Sequence, residues 1–157
     1  MEDCENGEEK ANYSKNASLK KQVISKDIGT VNKKTIWLFD WLDNDGTFAF
    51  NLNRRDFDSR DFLEKMIAYS NMTWSDISRQ THDDGKSKHH YLPYNGLSKD
   101  AKDRIKAKHL SEHTDAIFSF ALQNLIRIIG IRDGAFFHVV WYDPRHEFYP
   151  TKRQKSH

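Results

Sequence analysis

Cys4 is the only cysteine among the 157 residues. No internal disulfide and no cysteine-based zinc site can form, and a reducing compartment is the natural setting. The longest apolar runs, 117–122 and 135–142, fall far short of the roughly 18 residues that a membrane helix needs. The first residues offer no basic stretch leading into an apolar one, so no secretory signal is expected and a cytoplasmic location follows. Also lacking are a glycine-rich phosphate loop, a nucleophile elbow and a Rossmann fingerprint, which removes nucleotide-driven and common serine hydrolase chemistry. What the chain does have is rings. Phe, Trp and Tyr make up 13% of it within a hydrophobic total of 37%, so the core must rest on aromatic packing.

The 25 Lys and Arg and the 23 Asp and Glu are unevenly placed. Five acids and no base precede Lys10, seven Lys and one acid then run to Lys34, and Lys152, Arg153 and Lys155 lie near the end. Residues 1–34 are therefore expected to be a flexible, disordered charged tail and 151–157 a basic C-terminal tail, around a single domain at 35–150. That domain carries 15 bases against 17 acids. Since phosphate contacts dominate affinity for nucleic acid, any such grip has to come from a local patch or from the tails.

Within the domain, 35–42 alternates Ile36, Leu38 and Leu42 with Trp37, Phe39 and Trp41, as in a strand covered on both faces. A turn at 43–46 and Phe48, Phe50 and Leu52 beyond it predict an opening hairpin. Asp58 or Ser59 can cap a helix whose apolar positions are Phe62, Leu63, Met66, Ile67 and Tyr69. Thr73 can cap a short second helix, and Ser98 a third over 99–108, with a His-rich loop at 81–96 between them. Strands are expected at 117–122, 125–131 and 135–142, the last two joined by a turn centred on Asp133 and Gly134. That turn pairs Ile131 with Phe136, Ile129 with His138, Arg127 with Val140 and Leu125 with Tyr142. The fold class is α+β, an antiparallel sheet with helices packed on one face.

This register puts Arg127, His138 and Tyr142 on the face opposite Ile126, Ile128, Phe137, Val139 and Trp141, close enough to address one point. A guanidinium, an imidazole and a phenol suit RNA cleavage without a metal or other cofactor: one group takes the ribose 2′-OH proton, one neutralises the phosphate, one protonates the leaving oxygen. His146 is a second imidazole, with Asp143 able to orient it. His89, Arg104 and Arg132 are supplementary substrate contacts, and His89 or His90 could fold back over the sheet to supply a catalytic imidazole. The same face reads alternatively as a protein-interaction surface built on Phe136, Val140 and Tyr142. Two metal patterns also occur. His82, Asp83 and Asp84 with His89 and His90 sit in a loop, where ligands lack a scaffold. His109, Glu112 and His113 match the H-x-x-E-H spacing of inverted zinc peptidases, which requires both His on one helix face.

The order of a leading strand, helices and three closing antiparallel strands resembles the RelE-like bacterial ribonuclease toxins, on residues 125–134 and 136–149 with Arg127, His146 and Tyr149. The resemblance covers about a fifth of the chain. It implies a small α+β endoribonuclease that cuts messenger RNA, usually on the ribosome, and is held inactive by an antitoxin. The block from Phe118 to Pro150 is also similar to short uncharacterised bacterial and mobile-element proteins, a likeness that implies no function. The slightly acidic domain, the second N-terminal strand with its long tail and the His loop depart from the toxin pattern.

Overall fold

The computed structural model describes residues 20, 22, 23 and 25–151. Most of the expected N-terminal tail and residues 152–157 of the C-terminal one lie outside the described residues. The remainder of the first 34 is part of the fold. Residues 25–28 form a helical turn, Lys26 meets Asp133 at 2.7 Å, and the carbonyls of Val31 and Lys33 accept the N–H groups of Ser75 and Trp74 at 2.8 and 2.9 Å. The domain thus begins by residue 25 rather than at 35.

Five strands form one sheet in the order β1, β5, β4, β3, β2: β1 Ile36–Leu38, β2 His90–Tyr91, β3 Ile117–Ala121, β4 Arg127–Asp133 and β5 Phe136–Asp143. The fold is α+β, as the sequence predicts. The sheet is mixed, because β1 runs parallel to β5 while the other pairs are antiparallel. Three helices form where caps and helical spacing place them. In α1 (Ser59–Ser70) the Asp58 carboxylate accepts the Asp61 N–H, in α2 (Trp74–Arg79) Thr73 and Asp76 make a reciprocal capping box, and in α3 (Lys99–Ala107) Ser98 accepts from Ala101.

The helices cover both faces rather than one. Met66 and Tyr69 of α1 and Trp74 and Ile77 of α2 pack on Phe118, Phe120, Ile128, Phe137 and Val139. On the opposite face Ala101 and Ile105 of α3 pack on Ile117, Ile129, Ile131, Val140 and Trp141. Strands β3 to β5 are accordingly apolar on both sides, as in a two-sided core.

Two parts of the expected β structure differ. The opening hairpin does not form: after Leu38 the chain leaves the sheet, and 43–49 lies along β5, where Asp43 N–H donates to the Val140 carbonyl at 2.9 Å and Tyr142 N–H to the Phe48 carbonyl at 3.0 Å. The closing hairpin turns at Gly134 and Ala135, so Asp133 pairs with Phe136 and Ile131 with His138. Tertiary partners hold the turn there, since the Ala135 carbonyl accepts from both Ile36 N–H and the Trp74 indole. A bulge then falls between Ile129 and Gly130. Gly130 pairs with Val139 and Ile129 with Trp141, leaving Val140 as the extra residue. Beyond it every side chain of β5 is turned over relative to the expectation, so that Trp141 joins the α3 side and Tyr142 the α1 side.

Candidate functional site

The bulge and the shifted turn scatter the expected trio. Arg127 pairs with Asp143, whereas His138 pairs with Ile131, five positions away along β5, or about 16 Å at strand rise. Tyr142 is fully buried on the other face. It stacks on Phe57 at 4.2 Å, and its hydroxyl donates to the Asp56 carbonyl and accepts the Asp58 N–H. Burial raises its pKa, so the phenol stays protonated as a structural clamp. His138 lies flat against Trp41, with ring centroids 3.7 Å apart, and its Nδ1 bonds the Asp40 carboxylate at 2.7 Å. The expected interaction surface is dispersed too, because Val140 and Tyr142 are buried on opposite sides and only Phe136 is exposed.

The supplementary contacts are committed elsewhere. Arg104 forks onto buried Asp43 with two bonds of 2.8 Å, an ion pair that ties α3 to the 43–50 loop. Arg132 is buried, with its guanidinium 3.8 Å from the Trp74 ring centre and Nε bonded to the Gly134 carbonyl. Asp27 joins it, held also by the Tyr91 hydroxyl. His89 folds back over the sheet and is buried: its Nδ1 accepts the Ala121 N–H at 3.0 Å and its Nε2 meets the Gln80 carbonyl oxygen at 2.7 Å. Desolvation pushes its pKa down to about 3, so it remains neutral.

The metal patterns do not assemble. Among the described residues no group of three His, Cys, Asp or Glu could hold an ion. His109 has φ 57° and His113 lies at a kink in the 3₁₀ segment Ser111–Ala116, so the peptidase spacing is not on one helix face.

What the structure does bring together is one end of the sheet. Ala121, Arg127 and Asp143 form a row across β3, β4 and β5, on the same side as Ile129 and Trp141. His90 of β2 leads the neighbouring row through Ser119 and Ile129 and also faces that side. Asp143 is almost fully buried and shapes the turn that follows, its two oxygens accepting the N–H groups of Glu147 and Phe148 at 3.0 and 2.9 Å. Burial, offset in part by those donors, holds its carboxyl above the ordinary range. Phe148 is thereby anchored between Phe48 and Trp141, and the turn carries His146 over the end of the row.

His146 lacks at one nitrogen the partner that a buried polar atom normally finds, and Arg127 lacks an ion pair among the described residues. Arg127 is 8% exposed and spends only Nη1, on the carbonyls of Asn124 and Ile126 at 2.8 Å. It forms no ion pair among the described residues, and burial lowers its pKa. His146 has its Nδ1 buried without a hydrogen-bond partner. Burial, reinforced by the Arg127 charge, pushes its pKa below the usual 6.5, against the pull of Asp143; the charge of His90 acts in the same sense as Arg127. Asp143 thus holds the turn and lends charge, without a hydrogen bond to the imidazole. His146 and Asn124 are both non-glycine residues in the left-handed region, at φ 58° and 54°. Such conformations gather where side chains must be aimed. His90 bonds the Tyr91 carbonyl through Nδ1, leaving Nε2 to solvent.

The sequence singles out Arg127, Asp143 and His146 but sets them beside His138 and Tyr142, and it misses Asp40 as the partner of His138. Of the two imidazoles expected to fold back over the sheet, His89 is buried and committed while His90 lies beside the Arg127 row. Gly130, a lone glycine inside a strand pattern, was the available signal of the bulge. No helix among the described residues is long and apolar enough to cross a membrane. No family model, curated protein or solved structure matches the chain.

Proposed function

We propose that the protein is a metal-independent endoribonuclease of RelE-like type acting in the cytoplasm, with its active centre at the Arg127, His146 and His90 end of the sheet. The observation that carries this reading is a buried, unpartnered imidazole nitrogen of His146 beside the buried guanidinium of Arg127, which hydrogen-bonds only through Nη1. Leaving a buried polar atom unpaired in a folded state costs about 1–3 kcal/mol; a bound ribonucleotide would bring a 2′-OH to the imidazole and phosphate oxygens to Arg127. His146, kept neutral, accepts the proton of a ribose 2′-OH. The resulting oxygen attacks phosphorus, the O2′–P bond forms and the P–O5′ bond breaks. Arg127 donates its uncommitted N–H groups to the phosphate oxygens as charge builds, and His90 delivers a proton to the leaving 5′ oxygen. The products are a 2′,3′-cyclic phosphate and a 5′-hydroxyl.

The chemistry needs no group beyond these side chains, so the test is made in chelator. Single-stranded RNA incubated with the purified protein should yield cyclic phosphate ends, and an RNA with 2′-deoxyribose at the cleaved position should stay intact. His146→Ala and Arg127→Ala should each lower cleavage at least a hundredfold. Intact RNA with the wild-type protein would sink the proposal.

A second reading, binding to a protein such as an antitoxin, is favoured by Leu63 and Ile67. They are 59% and 58% exposed one turn apart on α1, outside the core. Leu63→Glu with Ile67→Glu should abolish copurification of such a partner without altering RNA cleavage. Unchanged copurification would remove this reading.

A further inference from the structure

A cleft of about 460 Å³ opens between α1, the segment from Gln80 to Lys88 and the connection from β3 to β4. Its volume lies within the ~300–1,000 Å³ that small-molecule sites occupy. Lys65, Tyr69, Gln80, His82, Lys88 and Asn124 contribute to its lining, and no acidic side chain does so among the described residues. In a domain with more acids than bases this local excess of cations stands out.

The cleft is tied to the active end of the sheet by one backbone group. Asn124, on its rim, offers the carbonyl that holds Arg127 Nη1, while the charges of Lys88, Arg127, His82 and His90 all act on His89 beneath it.

His89 also determines what the cleft wall presents. Because the Ala121 N–H donates to Nδ1, that nitrogen carries no proton, and the neutral ring holds its hydrogen on Nε2. The Nε2–H therefore donates to Gln80 at 2.7 Å, so the amide must offer its oxygen there. Its NH₂ is turned the other way, next to Met72 Sδ at 3.5 Å, and Met72 is itself part of the cleft lining. Two ammonium groups and an oriented amide donor make a wall rich in donors. Tyr69 adds no donor, since its hydroxyl proton is spent on the Ala121 carbonyl.

We propose that this cleft is a nucleotide-binding subsite, seating one nucleotide of the substrate strand next to the cleaved bond, with its phosphate on Lys65 and Lys88 and a base carbonyl on the Gln80 NH₂. The assignment of that nucleotide to an RNA strand rests on the ribonuclease reading, whereas nucleotide binding itself can be measured without any cleavage. Ligands of this class carry the anionic oxygens and carbonyl acceptors that such a wall requires.

Titration calorimetry with each of the four ribonucleoside 3′-monophosphates, with the matching nucleosides and with inorganic phosphate provides the test. At least one nucleotide should bind the wild-type chain, tenfold or more tightly than its nucleoside and than phosphate. Lys65→Ala with Lys88→Ala should weaken it at least tenfold. Gln80→Glu keeps an acceptor for His89 and removes the NH₂, and should weaken it as well. Lys106→Ala, exposed on α3 and outside the cleft, should bind the nucleotide as the wild type does. Circular dichroism of each variant checks that the fold is retained. Phosphate binding as tightly as every nucleotide, or nucleotide binding unchanged in both cleft variants, would overturn the subsite. Nucleotide binding with these dependences in a protein that leaves RNA intact would uphold the subsite while refuting the cleavage reaction.

Discussion

Trp41 covers one face of His138, the two rings 9° from parallel with centroids 3.7 Å apart. Asp40, one residue earlier, takes the Nδ1 of the same imidazole. The pair closes the junction where the chain leaves β1 and passes over the start of β5. His138 is thus held by partners from a single short segment, well away from the row of Arg127 and Asp143.

The expected consequence is structural. His138→Ala removes a stacked ring pair and a hydrogen bond to a carboxylate that is half exposed, together about 1–2 kcal/mol of stability. RNA cleavage at a temperature where the variant is folded should stay within about twofold of wild type. Urea unfolding and a cleavage assay on the same preparation check both halves, and a hundredfold fall in cleavage would return His138 to the catalytic set.

Asp43 joins three elements that are distant in the chain. It is 1% exposed and receives both Arg104 nitrogens, the Trp141 indole N–H at 2.9 Å and the Asp45 N–H. Burial alone would raise its pKa. Arg104, the Asp45 N–H and Trp141 together outweigh burial and hold the carboxyl below its ordinary value. A depressed carboxyl stabilises the fold at every pH above its unfolded value near 3.8, and that contribution is lost as pH falls through the folded value. Asp43→Ala should destabilise the protein by about 2–4 kcal/mol at pH 7, discounted for the partial exposure of Arg104. The gap between variant and wild type in denaturant midpoint should narrow below pH 4; a gap that widens there contradicts the assignment.

His89 has the opposite dependence on pH from a salt-bridged histidine. Its folded pKa, near 3, lies below the unfolded value of 6.5. As pH falls below 6.5 the unfolded chain takes up a proton that the folded chain refuses, so stability declines, at a limiting slope of about 1.4 kcal/mol per pH unit. Between pH 7 and 5 this contributes on the order of 2 kcal/mol of lost stability. His89→Gln, which cannot titrate, should be less stable than wild type at pH 7 and should show a loss between pH 7 and 5 smaller by about that amount. Equal losses in the two proteins would mean that His89 is protonated in the fold.

Gly130 marks the limit of what could be read from the sequence. The three helices were legible because their determinants are local: Asp58, Thr73 and Ser98 cap them, and the pairs Phe62/Met66, Trp74/Ile77 and Ala101/Ile105 stand at helical spacing. The strands β3 to β5 were legible as apolar runs. Their register was not, because it depends on groups remote in the chain: Ile36 and Trp74 secure the Ala135 carbonyl, and Asp43 takes the Val140 carbonyl at the bulge. Arg127, Asp143 and His146 could be nominated by residue type, yet the shifted turn moves the partner of Arg127 from Val140 to Tyr142 and the bulge moves it on to Asp143. At Gly130 a Cβ would collide with the His138 carbonyl oxygen and come within 2.9 Å of Phe137 Cζ. Gly130→Ala is therefore expected to destabilise the protein by about 1–3 kcal/mol and to lower RNA cleavage through a displaced Arg127. Wild-type thermal stability in this variant would show that the strands do not approach so closely.

The proton that His146 takes in the proposed reaction sets the acid limb of cleavage. Burial, with the Arg127 charge added, lowers its pKa from 6.5, so the imidazole is neutral over more of the acidic range than an ordinary histidine. A general base works only when unprotonated, and cleavage should therefore persist below pH 6.5 and fall only at more acidic pH. Arg127→Gln removes the nearby positive charge while keeping a hydrogen-bond donor. Its residual activity, lower at every pH, should show an acid limb shifted toward pH 6.5, since a cation that opposed protonation is gone. His146→Ala should show no such limb in whatever cleavage remains. Single-turnover rates on a short RNA from pH 4.5 to 8 measure all three profiles. An acid limb at the same pH in wild type and Arg127→Gln would place the titrating group outside the reach of Arg127, and with it the base.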